Sequence, residues 1–314
     1  MTHIRCLAAA LLGLFIAFAP AAAQPAPSAV RTPVLGMPVR ENGLVATWYP
    51  PASGNRGPVI IALGGSEGGE KGGQLLATAL SRQGYGALAL AYFGAEGLPV
   101  AAQNVPLEYF AKAIDWLQAQ PLADRNRIGI YGVSFGAETA LVVAAHDPRI
   151  KVVVVGAPSS VVWQGYNPSD YMSVKSTYSL DGQPVPFLPY DNSRMFTSVF
   201  DLYQRSLATL PAHPDAQIAV ERIGGPVLLL SGKADNLWPS SVMADQVMAR
   251  LDAKGFRYAH IHIAYPDAGH GATTPPIGNA SMAGMDNIGG TPQGNEAARS
   301  DMWKRVTAFF AQYL

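Results

Sequence analysis

The pentapeptide Gly132-Val133-Ser134-Phe135-Gly136 constrains the fold of this chain more than any other stretch. It joins an apolar run at 127–131 to a helix-like run at 137–145, so a strand, a sharp turn and a helix surround one serine. Only glycine fits at the two flanking positions, because the strand and the helix nearly touch there. The turn also directs the first backbone N–H groups of the helix toward the space above the serine. We therefore predict that Ser134 is a nucleophile and that the backbone N–H of Phe135 stabilises an oxyanion.

The same spacing occurs a second time, in Gly64-Gly65-Ser66-Glu67-Gly68, after an apolar run at 58–63. Three more glycines follow this copy: Gly69, Gly72 and Gly73. Each glycine costs about 1 kcal/mol in a helix, so we expect a loose loop here rather than a helix start. The loop after the first strand of such a sheet supplies the second oxyanion donor, and the nucleophile comes one β-α-β unit later. We predict that this donor comes from the backbone N–H groups of Gly65, Ser66 and Glu67.

From Pro58 onward, apolar strands alternate with helical patterns. The predicted strands are 59–63, 87–92, 127–131, 152–156, 226–231 and 258–265, and the predicted helices are 75–83, 107–118, 137–145, 239–254 and 296–314. A hairpin at 39–49, with Asn42-Gly43 in its turn, precedes them. Strands that alternate with helices form a parallel sheet covered on both faces. The fold class is therefore α/β, a mostly parallel, doubly wound sheet, within one domain at 24–314.

Between 161 and 222 the alternation stops. This segment shows no clear strand, but it contains nine aromatic residues and six prolines. Since a structureless loop of this length would be unusual, we expect an inserted lid with short helices, such as one at 195–209. Two alternatives remain for its aromatic residues, among them Trp163, Tyr166 and Tyr190. They line a hydrophobic entrance to the site, or they only pack the lid onto the core.

A serine hydroxyl needs a base to become a nucleophile, and the base needs a group that fixes its tautomer. His270 lies in Asp267-Ala268-Gly269-His270-Gly271, just past the last strand, where a loop can present it to Ser134. The other histidines after Ser134 fit a helix end, the lid or a strand surface: His146, His213, His260 and His262. We predict that His270 is the general base.

Asp235 follows the strand at 226–231 and precedes the helix that Pro239 opens. That position lies at the carboxyl end of the sheet, at the same edge as Ser134 and His270. A turn aspartate is the simpler interpretation of Asp235, and Asp267 is a rival acid. Asp267 lies only three residues before His270 on the same loop, so it reaches the outer ring nitrogen less easily. Two other acidic residues, Glu67 and Glu138, could be buried carboxylates without a catalytic role.

The first residues have the pattern of a secretory signal. Arg5 precedes an apolar run at 6–19, and Ala21-Ala22-Ala23 follows. We expect a signal peptide at 1–23, with cleavage after Ala23 and export to the periplasm or the medium. The alternative, a membrane anchor, is disfavoured because the apolar run is too short to span a bilayer.

Composition excludes several classes of function. Cys6 is the sole cysteine and lies in the expected signal peptide, which rules out disulfides, thiolate metal sites and a cysteine nucleophile in the mature protein. The 22 basic and 22 acidic side chains form no basic run, which argues against a nucleic-acid partner. We expect a small-molecule substrate and no metal or cofactor.

In these motifs the chain resembles the acyl-CoA thioester hydrolase and bile acid-CoA:amino acid N-acyltransferase (BAAT) C-terminal domain family, relatives of dienelactone hydrolase. The resemblance covers roughly 40–314 and includes 63–69, 91–93, 106–110, the Ser134 turn, 235–240 and 265–270. It implies an α/β-hydrolase fold. Longer eukaryotic members carry a β-sandwich domain ahead of this one. Because fewer than 40 residues lie between the expected cleavage site and Pro58, we expect any role of that domain in holding coenzyme A to be missing here.

These observations together predict an exported serine hydrolase that cleaves an acyl thioester or ester through a Ser134-His270-Asp235 triad and a covalent acyl-enzyme. Three alternatives remain open: a dienelactone-hydrolase-like carboxylesterase acting on small esters or lactones, an acyltransferase to an amine, and a non-catalytic binding module. The acyltransferase branch of the family uses a cysteine nucleophile, whereas this chain has serine.

Overall fold

The structure, a computed structural model, describes residues 35–170, 172–276 and 288–314. The expected signal peptide and its cleavage site lie outside these residues. The strands are β1 Met37–Val39, β2 Ala46–Tyr49, β3 Gly57–Leu63, β4 Gly86–Leu90, β5 Val105–Pro106, β6 Ala123–Val133, β7 Ile150–Gly156, β8 Tyr178–Leu180, β9 Gln183–Pro184, β10 Val227–Gly232 and β11 His260–Tyr265. The α-helices are α1 Lys71–Arg82, α2 Leu107–Ala119, α3 Phe135–His146, α4 Val199–Ala208, α5 Ser240–Ala253 and α6 Pro292–Tyr313.

Eight strands form one twisted sheet in the order β1-β2-β4-β3-β6-β7-β10-β11. The predicted hairpin is present: β1 pairs antiparallel with β2, and its turn contains Asn42 and Gly43 at positive φ. Strand β2 also runs antiparallel to β4, and all pairings from β4 to β11 are parallel. The predicted fold class, a mostly parallel α/β sheet, is confirmed.

Helices cover both faces of the sheet. On one face, side chains of α2, α3 and α5 pack against the strands, and on the other face those of α1 and α6 do so. Neighbouring strand residues alternate between the two layers, so Ile61 joins the first layer and Ile60 the second. The four valines at 152–155 in β7 are fully buried. A central parallel strand with helices on both sides needs such a continuous apolar run.

Helix α1 begins earlier than predicted, since Gly72 and Gly73 lie in its first turn instead of a loose loop. A Cβ on Gly73 would lie 2.8 Å from the carbonyl oxygen of Ala62, and a Cβ on Gly72 would lie 2.9 Å from Cα of Gly64. The two glycines therefore let the helix pack directly onto the end of β3. Glycine lowers the helix propensity of this turn, but only a residue without a Cβ allows such close packing.

The segment at 161–222 contains more regular structure than the sequence indicates. Short strands β8 and β9 form a second sheet with β5. The helix expected at 195–209 is present as α4, which is shorter at both ends. Strands of two or three residues are too short to show alternation, which is why the sequence did not reveal them. A third apolar cluster joins this segment to the region of α5: Val161, Trp163, Leu188, Leu207, Leu210, Ala216, Trp238 and Met243.

Within the described parts of the chain, no helix has both the length and the apolar composition that a bilayer span requires.

Candidate active site

Ser134 lies in the turn between β6 and α3. Its backbone has φ 59° and ψ −124°, a strained conformation for a residue with a side chain, and its N–H donates to the carbonyl of Gly156 at 2.8 Å. A Cβ on Gly132 would lie 1.9 Å from the carbonyl oxygen of Gly136, and a Cβ on Gly136 would lie 2.4 Å from that of Gly64. Both glycines are thus required by close backbone packing, as the sequence predicts.

His270 follows β11 and is brought to Ser134, with its Nε2 2.8 Å from the serine Oγ. The imidazole is almost completely buried, and the indole of Trp238 packs edge-on against it with 5.8 Å between ring centroids. Its loop is held by Asn295 of α6, whose Oδ1 accepts a hydrogen bond from the Gly269 N–H at 2.7 Å.

Asp235 lies in the turn after β10, and its Oδ2 is 2.8 Å from Nδ1 of His270. The Ser240 hydroxyl donates to the same oxygen at 2.6 Å. The other carboxylate oxygen accepts the N–H groups of Leu237 and Trp238 at 2.9 and 3.2 Å. Three donors besides His270 therefore hold this buried carboxylate against Nδ1 of the imidazole. Ser240 and Trp238 were not recognised as part of this arrangement, although they lie within five residues of Asp235.

The topology explains why three distant residues meet. Ser134, Asp235 and His270 follow β6, β10 and β11, which are parallel and end at the same edge of the sheet. In open α/β sheets this edge holds the ligand site.

The rival acid, Asp267, is exposed, and Nδ1 of His270 is paired with Asp235 instead. His146 bonds the carbonyl of Val142 at a helix end, and His260 pairs with Asp252 on the surface.

A second arrangement of serine, histidine and aspartate exists elsewhere in the sheet. Nε2 of His262 lies 2.7 Å from Oγ of Ser231, and its Nδ1 lies 2.8 Å from Oδ1 of Asp245. Ser231 is fully buried within β10, so no substrate can reach its hydroxyl. Burial also lowers the pKa of His262 despite the nearby carboxylate. These three residues tie β10, β11 and α5 together.

The predicted oxyanion donors belong to two segments, the start of α3 and the loop after β3. Among the described residues, no acceptor pairs with the N–H groups of Phe135, Ser66 or Glu67. The N–H of Gly65 donates instead to Oε1 of Glu67 at 3.0 Å. The Gly65 backbone nevertheless passes close to the site, because a Cβ there would lie 3.4 Å from that of Ser134.

A cavity of about 380 Å³ opens beside Ser134 and His270. The residues that line it come from the 64–67 loop, α1, the end of β6 and the loops that carry Asp235 and His270. Trp163, Tyr166 and Tyr190 are not among its described lining residues. Trp163 is fully buried in the third apolar cluster and stacks on Tyr190 at 6.3 Å. The structure therefore does not bring these aromatic residues to the cavity, and Trp163 packs the segment onto the core.

Glu138, in the first turn of α3, is fully buried, whereas Glu67 is exposed. Oε1 of Glu138 accepts a hydrogen bond from the N–H of Trp163 at 3.1 Å, and Oε2 of Glu138 has no partner among the described residues. Loss of water around this carboxyl raises its pKa to about 8, so it is largely protonated at neutral pH. It links the helix after Ser134 to the segment at 161–222.

No group of three or more potential metal ligands occurs in the portions of the chain that the structure covers.

The family described as BAAT / Acyl-CoA thioester hydrolase C terminal matches residues 105–314. Acyl-coenzyme A thioesterase 6 of Mus musculus is 33% identical over 289 residues, which cover 88% of this chain and 65% of that protein. Acyl-coenzyme A thioesterase 1 of Homo sapiens is 28% identical over 291 residues, with the same two coverages of 88% and 65%. The chain thus spans just under two thirds of the length of these relatives.

Solved structures share the fold. A putative dienelactone hydrolase from Klebsiella pneumoniae superimposes with a TM-score of 0.56 at 19% identity, covering 89% of this chain and 98% of its own. An acylaminoacyl peptidase from Pyrococcus horikoshii gives a TM-score of 0.60 at 16% identity, covering 90% of this chain and 42% of its own. Both similarities support the α/β-hydrolase fold.

Proposed function

Because the chain belongs to the BAAT / acyl-CoA thioester hydrolase C-terminal family, we propose that it is a serine hydrolase that cleaves an acyl thioester or ester. One observation carries this proposal: two 2.8 Å hydrogen bonds connect Ser134 Oγ to His270 Nε2 and His270 Nδ1 to Asp235. A nucleophile, a base and an orienting acid need this geometry.

The proposed reaction has two steps. Ser134 Oγ attacks the acyl carbonyl while Nε2 of His270 takes its proton, and buried Asp235 stabilises the imidazolium that forms. The N–H of Phe135 and the 64–67 loop stabilise the oxyanion. The carbon–sulfur or carbon–oxygen bond then breaks, and the His270 imidazolium gives its proton to the departing sulfur or oxygen, which leaves as the thiol or alcohol. Water, activated by His270, attacks the acyl-enzyme and releases the carboxylic acid and free Ser134.

The charge of the segment at 161–222 disfavours coenzyme A as the leaving group. The segment at 161–222 contains four basic and six acidic residues. Two of its arginines, Arg194 and Arg205, already face aspartates within the segment. Few cations therefore remain there for the phosphates of coenzyme A.

Hydrolysis should predominate over acyl transfer. A serine acyl-enzyme is an oxygen ester, which reacts less readily with amines than the thioester that a cysteine would form. A carboxylesterase acting on small esters or lactones would use the same residues, so only the preferred leaving group separates the two functions.

A substrate panel on the purified protein tests the proposal. It contains an acyl-CoA, the matched thioester of a small thiol and the matched p-nitrophenyl ester, each with and without glycine or taurine. We expect hydrolysis of the small thioester or ester, with free acid as the main product in every case. A kcat/KM at least about tenfold higher for acyl-CoA, roughly 1.4 kcal/mol of transition-state binding, would make coenzyme A the preferred leaving group. Amide in excess of free acid would identify an acyltransferase instead.

A further inference from the structure

The cavity beside Ser134 has apolar walls. Leu75 and Leu76 of α1 form one side, and Val133, Leu237 and Ile288 contribute from the end of β6 and from the neighbouring loops. All five side chains are buried or half-buried. Two charged residues, Glu67 and Lys71, also line the cavity, and both are exposed. The Glu67 carboxylate is turned back onto the 64–67 loop, where it accepts the N–H of Gly65.

This distribution of charge determines what the interior can bind. Apart from the catalytic His270, no buried ionisable side chain occurs among the described lining residues. A carboxylate or phosphate placed inside would lose its water without gaining a partner, which is strongly unfavourable. An alkyl chain would lose only contact with water, which favours binding.

The cavity is directly connected to the reacting atoms. Ser134, His270 and the 64–67 loop all contribute to its lining. An acyl group esterified to Ser134, with its oxygen toward the Phe135 N–H, can therefore extend its alkyl chain along α1. The segment at 161–222 contributes none of the described lining residues.

The volume of the cavity limits the length of the acyl chain that it can hold. A cavity of about 150 Å³ accommodates a six-carbon ring, so one of about 380 Å³ accommodates an acyl chain on the order of ten carbons.

We propose that this cavity, which we call the acyl pocket, binds an unbranched aliphatic acyl chain and that Leu75 and Leu237 limit its length. The proposal rests on the hydrolase function proposed above and adds its acyl specificity. Leu75 packs on the core layer beneath α1, and the N–H of Leu237 is held by Asp235 at 2.9 Å. Both side chains therefore have a fixed support and can act as walls.

Leu75 and Leu180 allow a matched experiment. Leu75→Trp narrows the acyl pocket, and Leu75→Ala widens it. Leu180→Trp and Leu180→Ala are the controls, because they introduce the same side chains at a half-exposed position on β8, away from the pocket. For each variant, kcat/KM is measured on p-nitrophenyl esters from acetate to dodecanoate. Labelling rates with short-chain and long-chain alkyl fluorophosphonates, in which Ser134 displaces fluoride, give the same comparison without a deacylation step.

In the wild type we expect kcat/KM to rise with chain length to about ten carbons. Leu75→Trp should lower the ratio of decanoate to acetate at least tenfold while acetate changes less than threefold. Leu75→Ala should shift the optimum to longer chains, and it tests the proposal even if the tryptophan variant does not fold. Both Leu180 variants should keep the wild-type ratio.

Hydrolysis with an unchanged chain-length profile in both Leu75 variants would overturn the acyl pocket alone. A changed chain-length profile in the Leu180 variants would place the acyl chain under the segment at 161–222, and this result would also overturn the proposed acyl pocket. If the wild type neither hydrolyses any ester nor is labelled at Ser134, the proposed function fails, and this inference with it.

Discussion

At the scale of single residues, the site depends on one histidine held between two groups. Because His270 contacts both Ser134 and Asp235, the three residues should act as a unit. We predict that His270→Ala lowers kcat by on the order of 10⁶ and Asp235→Asn by on the order of 10⁴. The double variant should be little worse than His270→Ala. Steady-state kinetics on a small ester measure this, and fully additive losses would show that Asp235 acts outside the triad.

Glu138 gives a prediction on stability. Its pKa is raised from 4.5 to about 8 in the folded protein, so between these values the folded state keeps a proton that the unfolded chain releases. Stability should therefore fall as the pH rises through this window, by at most about 1.4 kcal/mol per pH unit, and level off above it. Glu138→Gln keeps the acceptor for the Trp163 N–H and should remove this fall.

Urea unfolding of the wild type and Glu138→Gln at about pH 5, 7 and 9 tests this prediction. The variant should gain relative stability as the pH rises. Glu221→Gln is the control, because the hydrogen bond from Arg250 lowers the pKa of Glu221 below its usual value of 4.5. The contribution of Glu221 is therefore lost only on acidification below that value, and the difference between this variant and the wild type should not change between about pH 5 and about pH 9. Parallel pH profiles for the wild type and Glu138→Gln would contradict the buried, protonated carboxyl.

At the scale of secondary-structure elements, α1 shows a conflict between propensity and packing. Gly73→Ala should raise helix propensity by up to about 1 kcal/mol, yet its Cβ would lie 2.8 Å from a backbone oxygen of β3. Since backbone cannot move aside easily, we predict a net loss of about 1 to 3 kcal/mol in the free energy of unfolding. Ala79→Gly in the same helix is the control, with a loss of about 1 kcal/mol from propensity alone. A more stable Gly73→Ala protein in urea unfolding would show that the contact is not rigid.

This helix also shows where sequence reasoning ends. The strands and helices that pack the sheet follow apolar periodicity, which is local and can be read from the sequence. The start of α1 depends on close backbone contacts between Gly72, Gly73 and the end of β3, which apolar periodicity does not encode. Ser134, Asp235 and His270 could be predicted, because each follows a parallel strand that the periodicity reveals and these strands end at one edge of the sheet. The burial of Trp163 and the existence of the acyl pocket could not be predicted from the sequence, because they depend on how the segment at 161–222 and helix α1 pack on the rest of the protein.

At the scale of the whole molecule, the first residues bear on where the protein acts. Arg5, the apolar run at 6–19 and Ala21-Ala22-Ala23 motivate our proposal that the chain is exported. We predict that the mature chain begins at or near Gln24 and that reductants do not change its stability, because Cys6 is removed. Intact-mass measurement of the protein from an exporting host tests this. A chain that retains Met1 in a membrane fraction would contradict it.

The central claim, that Ser134 is the nucleophile, has a direct test in covalent labelling by a fluorophosphonate probe followed by mass spectrometry of the modified peptide. Two serines in the same sequence pattern, Ser134 and Ser66, provide matched variants. We predict labelling at Ser134, no labelling or turnover in a folded Ser134→Ala protein, and retained labelling in Ser66→Ala. Labelling that persists in Ser134→Ala and disappears in Ser66→Ala would show that the other serine is the nucleophile.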